Sequence, residues 1–164
     1  MTDDLNMHYE VKSVHPRVAA YLESNGWLYL HEYQSSGWGI VDFLAINKRN
    51  GIYCLIECKR EIADTNAVIS QLKRYSRISP KAQLLAISMH PASLNQIAKL
   101  NRDGIAYMHI PEETPLVRPL PPSKAYHAFD QCMKKFHGYS VYPSHHIPYV
   151  FKFNETIIEQ EQSS

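Results

Sequence analysis

The chain has 164 residues, 45% of them hydrophobic and 20% charged, with a formal net charge of +1. That length fits one domain of ordinary size with a real core, and the near-neutral balance excludes a binder working through global charge, so any electrostatic signal must be local. No apolar run approaches a membrane span, and residues 1–5 have nothing of an export signal. Cys54 and Cys58 would lie roughly 13 Å apart on one strand, too far to bridge. The odd total of three cysteines then points to a reducing, intracellular, cytoplasmic setting with no membrane partner.

Residues 1–14 are polar with little periodicity and read as a loosely held, flexible arm. His15-Pro16 opens a first helix, which Asn25-Gly26 ends; Val18, Ala19 and Leu22 give it a core stripe. A strand is predicted over 27–33, a loop over 34–37 and a second strand over 40–46, apolar on both faces except at Asp42. Asn50-Gly51 supplies hairpin chemistry, and a third strand follows over 52–59. Tyr53, Leu55, Glu57 and Lys59 share one of its faces, and Ile52, Cys54, Ile56 and Cys58 fill the other. Such a strand is covered on both sides. Asp64 or Thr65 caps a helix running to about residue 78. A strand over 83–88, a helix over 91–101 and a strand over 104–110 complete a meander with two strand–helix crossovers. The fold class is α/β, a mixed central sheet flanked by helices.

Five prolines, Pro111, Pro115, Pro119, Pro121 and Pro122, make residues 111–122 an extended connector. Residues 123–164 form a C-terminal extension of unassigned role: an amphipathic helix over 123–137, a hairpin over 139–153 around Pro143, and frayed terminal residues. The aromatic tail reads as packing back onto the sheet, or as a dimer or DNA-contact surface. His127, Cys132, His137, His145 and His146 match no zinc-finger spacing and read as packing or surface groups.

The chemistry concentrates between Asp42 and Tyr75. Positions equidistant from the 47–51 turn pair in an antiparallel hairpin, so Asp42 is expected opposite the stretch around Glu57. Lys59 lies two residues beyond Glu57, on the same face. Two carboxylates and an ammonium are thus brought to one spot, where burial is costly. A hard divalent cation relieves the carboxylate repulsion and can activate water on a phosphodiester.

These residues resemble the PD-(D/E)XK nuclease superfamily, the restriction-endonuclease-like fold. The Gln71-Leu72-Lys73-Arg74-Tyr75 run is similar to the Gln-x-x-x-Tyr motif of its RecB-type and NucS-type branch. The resemblance spans about residues 15–110, the nuclease core of an α/β/α sandwich, and leaves the tail unexplained. It departs from the motif at Val41, where proline is usual. It implies a Mg²⁺-dependent endonuclease, with Mn²⁺ substituting, that hydrolyses DNA in repair, recombination or defence. Asp42, Glu57 and the Cys58 carbonyl would hold the metal, and Lys59 would be the catalytic lysine. Gln71 and Tyr75 would support the site or contact the DNA backbone. Glu23 would be the accessory acid, reaching the metal through water, with Glu32 its competitor.

Between Lys48 and Lys81 the chain carries eight basic residues against three acids. Lys48, Arg60, Lys73, Arg74 and Arg77 are therefore read as phosphate contacts. No base-reading motif accompanies them, so cleavage is expected to be structure-directed or weakly sequence-specific. Cutting both strands with one site per chain favours a homodimer. Two rival readings keep the same residues: a catalytically silent DNA-binding module, or a component of a larger DNA-processing assembly.

Overall fold

The computed structural model describes residues 9–35, 39–77 and 81–138. Its elements are α1 (His15–Ser24), β1 (Trp27–Ser35), β2 (Gly39–Asn47), β3 (Tyr53–Lys59), α2 (Thr65–Ser76), β4 (Gln83–Ser88), α3 (Leu94–Arg102), β5 (Ile105–His109) and α4 (Pro122–His137). The five strands lie in sequence order in one sheet. β1, β2 and β3 pair antiparallel, as hairpin connections require, and β3, β4 and β5 pair parallel through helical crossovers. The expected mixed sheet flanked by helices is what forms.

Each face has its own core. On one, Leu44, Leu55 and Leu84 of the sheet meet Val68 and Leu72 of α2, Leu100 of α3, and Phe129 and Met133 of α4. On the other, Phe43, Ala45 and Ile56 meet Val18, Ala19 and Leu22 of α1. β3, in the middle, is buried on both sides up to Cys58. Helix starts follow local chemistry. Asp64 caps α2 by accepting the Ala67 N–H at 3.1 Å, and Ser93 and Gln96 form a reciprocal capping box for α3.

One segment differs from expectation. Residues 10–14, placed in a loose arm, form a π-helical turn (Glu10–Val14) running into α1. Val14 is fully buried, because it extends the Val18–Leu22 stripe by one i,i+4 step. The proline-rich connector is tied down along α1 and β1. The Val117 N–H donates to Pro16 O, the Arg17 guanidinium donates to Glu112 O, and the Leu120 N–H donates to the Tyr29 hydroxyl. Beyond it, α4 packs on β1 and ends against the β2–β3 turn. There the His137 ring N–H donates to Gly51 O at 2.6 Å. Any Cβ at Gly51, whose φ is +75°, would collide with the Phe136 ring. The expected hairpin over 139–153 lies outside the described residues.

Candidate metal centre

Asp42 and Glu57 converge as the strand arithmetic required. The β2–β3 register runs Phe43 opposite Ile56, which sets Asp42 against Glu57 one step further. At that step the ladder gives way to a side chain: Asp42 Oδ2 accepts the Cys58 N–H at 2.7 Å. Both strands beside it change face. Tyr29 and Phe43 belong to the α1 core, whereas Tyr33 and Val41, two or four residues on, belong to the α2 core. Glu32 absorbs the change with a left-handed φ of +51°, which is uncommon for a residue with a side chain. This local twist swings Asp42 out of strict alternation and brings its other oxygen within 3.6 Å of His15 Nε2 on α1.

Glu57 is 2% exposed, and its Oε1 is buried with no hydrogen-bond partner. Asp42 and Glu57 are in hydrogen-bond contact with each other. Burial first, and then the Asp42 charge, push the Glu57 carboxyl well above its usual range, with Lys59 opposing. Burial pushes Asp42 up to about 7, opposed by the Cys58 amide and Lys59. Both carboxyls are therefore biased toward the protonated form, as two acids that share one buried spot are. A donor-starved carboxylate oxygen beside a second carboxylate, with a lysine two residues along the strand, fits a small divalent cation.

A third acid belongs to this neighbourhood. Glu10, on the π-helical turn, acts on Asp42 by repulsion. It accepts the Arg60 backbone N–H and feels the Lys59 charge, while burial raises its carboxyl. Sequence reasoning missed it by starting the first helix at His15. The Val14–Val18–Leu22 spacing would have carried the helix back to it. Glu23, the accessory acid expected from the sequence, is committed elsewhere: its carboxylate accepts the Tyr29 hydroxyl at 2.6 Å. Its competitor Glu32 faces two histidines, 3.9 Å from His15 and 3.5 Å from His31, with its side chain 43% exposed.

Gln71 and Tyr75 sit one turn apart on α2, over the Glu57 face of the sheet. The Tyr75 hydroxyl donates to Ile40 O at 2.8 Å, and Gln71 Nε2 reaches that hydroxyl at 3.5 Å. Burial, then the Glu57 charge, push the Tyr75 phenol up to about 12, so it is a neutral donor. Cys58 Sγ is fully buried on the α1 side, its thiol pushed up by burial and by Asp42, Glu57 and Glu10.

Of the expected phosphate contacts, Lys73, Arg74 and Arg77 line one open cleft of about 630 Å³ along α2, with Ser70 and Gln71. Lys73 is already paired with Asp103. Arg60 lies over the Tyr9 ring at 4.7 Å. Lys48 is in the β2–β3 turn, six residues along β2 from Asp42 and so about 20 Å away, at the α4 end of the hairpin. Of the tail histidines, His127 bonds Gln131 and His137 bonds Gly51, as packing groups do.

No family model matches the chain, and no curated protein matches it. Two solved structures do. One is the EndoMS–dsDNA2 complex, with a TM-score of 0.49 and 21% identity, over 64% of this chain and 46% of that one. The other is a repair endonuclease from Pyrococcus abyssi, with a TM-score of 0.45 and 16% identity, over 58% of this chain and 42% of that one. The chain thus spans less than half the length of either. No described helix is long and apolar enough to cross a membrane.

Proposed function

We propose that this chain is a divalent-metal-dependent DNA endonuclease whose centre is Asp42, Glu57 and Lys59. The observation that carries the reading is the partnerless, buried Glu57 Oε1 against the Asp42 carboxyl. A protein gains nothing in stability from such a pair, and the two acids become a strong ligand set once deprotonated. Bound Mg²⁺, or Mn²⁺ in its place, supplies a water of lowered pKa and positive charge for the developing phosphorane.

The chain's own groups do the rest. Asp42 and Glu57 hold the cation, and the Cys58 amide fixes the Asp42 carboxylate by its 2.7 Å bond. The Cys58 carbonyl is proposed as a further ligand, with Glu10 as the acid that reaches the ion through water. Lys59 Nζ donates to the attacking water or to a non-bridging phosphate oxygen. Tyr75, anchored on Ile40, holds α2 against the sheet, and Arg74 and Arg77 meet the DNA backbone. Phosphate-directed contacts without a base-reading element give structure-directed or weakly specific cutting. Cleaving both strands takes two copies, or a partner within a larger assembly.

Nicking of supercoiled plasmid and of branched DNA tests the proposal. The protein is expected to nick in Mg²⁺, to stop on chelation, and to slow by at least about a hundredfold in Asp42→Asn and Lys59→Ala. DNA binding without cleavage of any substrate, or an Asp42→Asn variant as fast as wild type, would leave a non-catalytic DNA-binding module instead.

A further inference from the structure

Beside the carboxylate pair lies a second donor cluster of different chemistry. His15 Nδ1 and His31 Nε2 share a hydrogen bond of 2.8 Å. Glu32 Oε1 is 3.9 Å from the first and 3.5 Å from the second. Among the described residues these three form one of two groups whose ligand atoms all lie within 4.8 Å of one another. We propose that His15, His31 and Glu32 are a second metal site, selective for a borderline divalent ion of the Zn²⁺ or Co²⁺ class.

The geometry argues for it on three counts. Zinc–nitrogen bonds of about 2.0–2.1 Å and zinc–oxygen bonds of about 2.0–2.2 Å put tetrahedral donors roughly 3.3–3.5 Å apart. Glu32 already stands near that separation from His31, and the imidazoles reach it by opening about half an ångström. The rings are also held in place. Both His15 and His31 pack on Phe43, with centroids at 5.5 and 4.9 Å, and their planes cross at 86°, so the ligand set is ordered before an ion arrives. Asp42 Oδ1 stands 3.6 Å from His15 Nε2, on the far side of the ring from the proposed ion. That is the carboxylate–histidine–metal order, which a closure of about half an ångström would complete as a hydrogen bond.

Access is open. His31 and Glu32 line a cleft of about 850 Å³ that also carries Arg118 and Lys124, so two of the three ligands face solvent and the basic side chains there would favour an anionic further ligand. Imidazole donors favour Zn²⁺, Co²⁺ or Ni²⁺ over Mg²⁺. The two centres are therefore expected to load different ions, and the second stands whether or not the first cuts DNA.

Zinc titration calorimetry on the whole chain, in millimolar Mg²⁺ to fill the carboxylate centre, tests this. Wild type is expected to take up one Zn²⁺ equivalent. His31→Ala and Glu32→Gln should each weaken it by at least about tenfold, and Glu57→Gln should leave it unchanged. Glu32 is exposed, so Glu32→Gln reports even if His31→Ala unfolds, and circular dichroism of each variant checks the fold. No Zn²⁺ uptake above the Mg²⁺ background would overturn the site. So would uptake that survives both His31→Ala and Glu32→Gln but is lost in Glu57→Gln or Cys58→Ser. Because Glu57→Gln is expected to stop plasmid nicking and spare Zn²⁺ binding, failure of one reading is distinguishable from failure of the other.

Discussion

Glu57 Oε1 is the atom whose surroundings make least sense in a purely structural protein. A buried acceptor without a donor costs about 1–3 kcal/mol, more when charged, and once both acids are deprotonated Asp42 repels it as well. Replacing the oxygen by an amide nitrogen supplies a donor to Asp42 and removes the repulsion. Glu57→Gln is therefore expected to stabilise the metal-free protein at pH 8 by about 1–3 kcal/mol while removing nuclease activity. Chemical denaturation in a chelator checks the first half and plasmid nicking the second. Catalytic centres commonly trade stability for function in this direction.

At the scale of elements, the hairpin and α2 were legible because their signals are local. Asn50-Gly51 marks the turn, counting from it pairs Asp42 with Glu57, and Asp64 marks the helix start. The sequence could not reveal what depends on a break in the pattern. Strict alternation puts Asp42 on one face, whereas the twist at Glu32 and Asp42 turns it toward His15 as well, and no periodicity announces a left-handed glutamate inside a strand. Glu10 is hidden differently: Pro16 reads as a helix start, so the preceding turn carries no helix signal of its own. That turn is expected to matter for the site. Val14→Ala should cost about 2 kcal/mol of stability and weaken Mg²⁺ binding by roughly tenfold through loss of Glu10. Urea unfolding and Mg²⁺ titration of the same variant measure both.

At the scale of the whole molecule, the raised carboxyls tie stability to pH and to metal. Glu57 and Asp42 titrate in the folded protein above the unfolded range of about 4. As pH rises past that value the unfolded chain sheds these protons first, so the pair's contribution is full below pH about 4 and is lost as pH rises, the Asp42 share on the way through about 7. His15 pulls the other way, because burial and His31 hold its imidazole down to about 3. It destabilises the fold in acid, and that cost disappears as pH rises toward about 6.5. The carboxyl contribution is therefore read as wild type minus Glu57→Gln in chelator, a difference expected to fall steadily from pH 4 to pH 8. Mg²⁺ binds the deprotonated pair, so its stabilisation should grow over the same range. At a hundredfold excess over its dissociation constant it should reach about 2.7 kcal/mol, or roughly 5–10 °C in Tm. A Mg²⁺ shift that is flat with pH would mean that the ion binds somewhere other than these acids.

The most direct measurement is anomalous diffraction from crystals soaked in Mn²⁺. The expected result is a peak bounded by the carboxylates of Asp42 and Glu57, absent in Asp42→Asn crystals soaked the same way. A map without that peak, with Lys59 Nζ seated between the two carboxylates as a closed ion pair, would contradict the metal centre and the nuclease activity built on it.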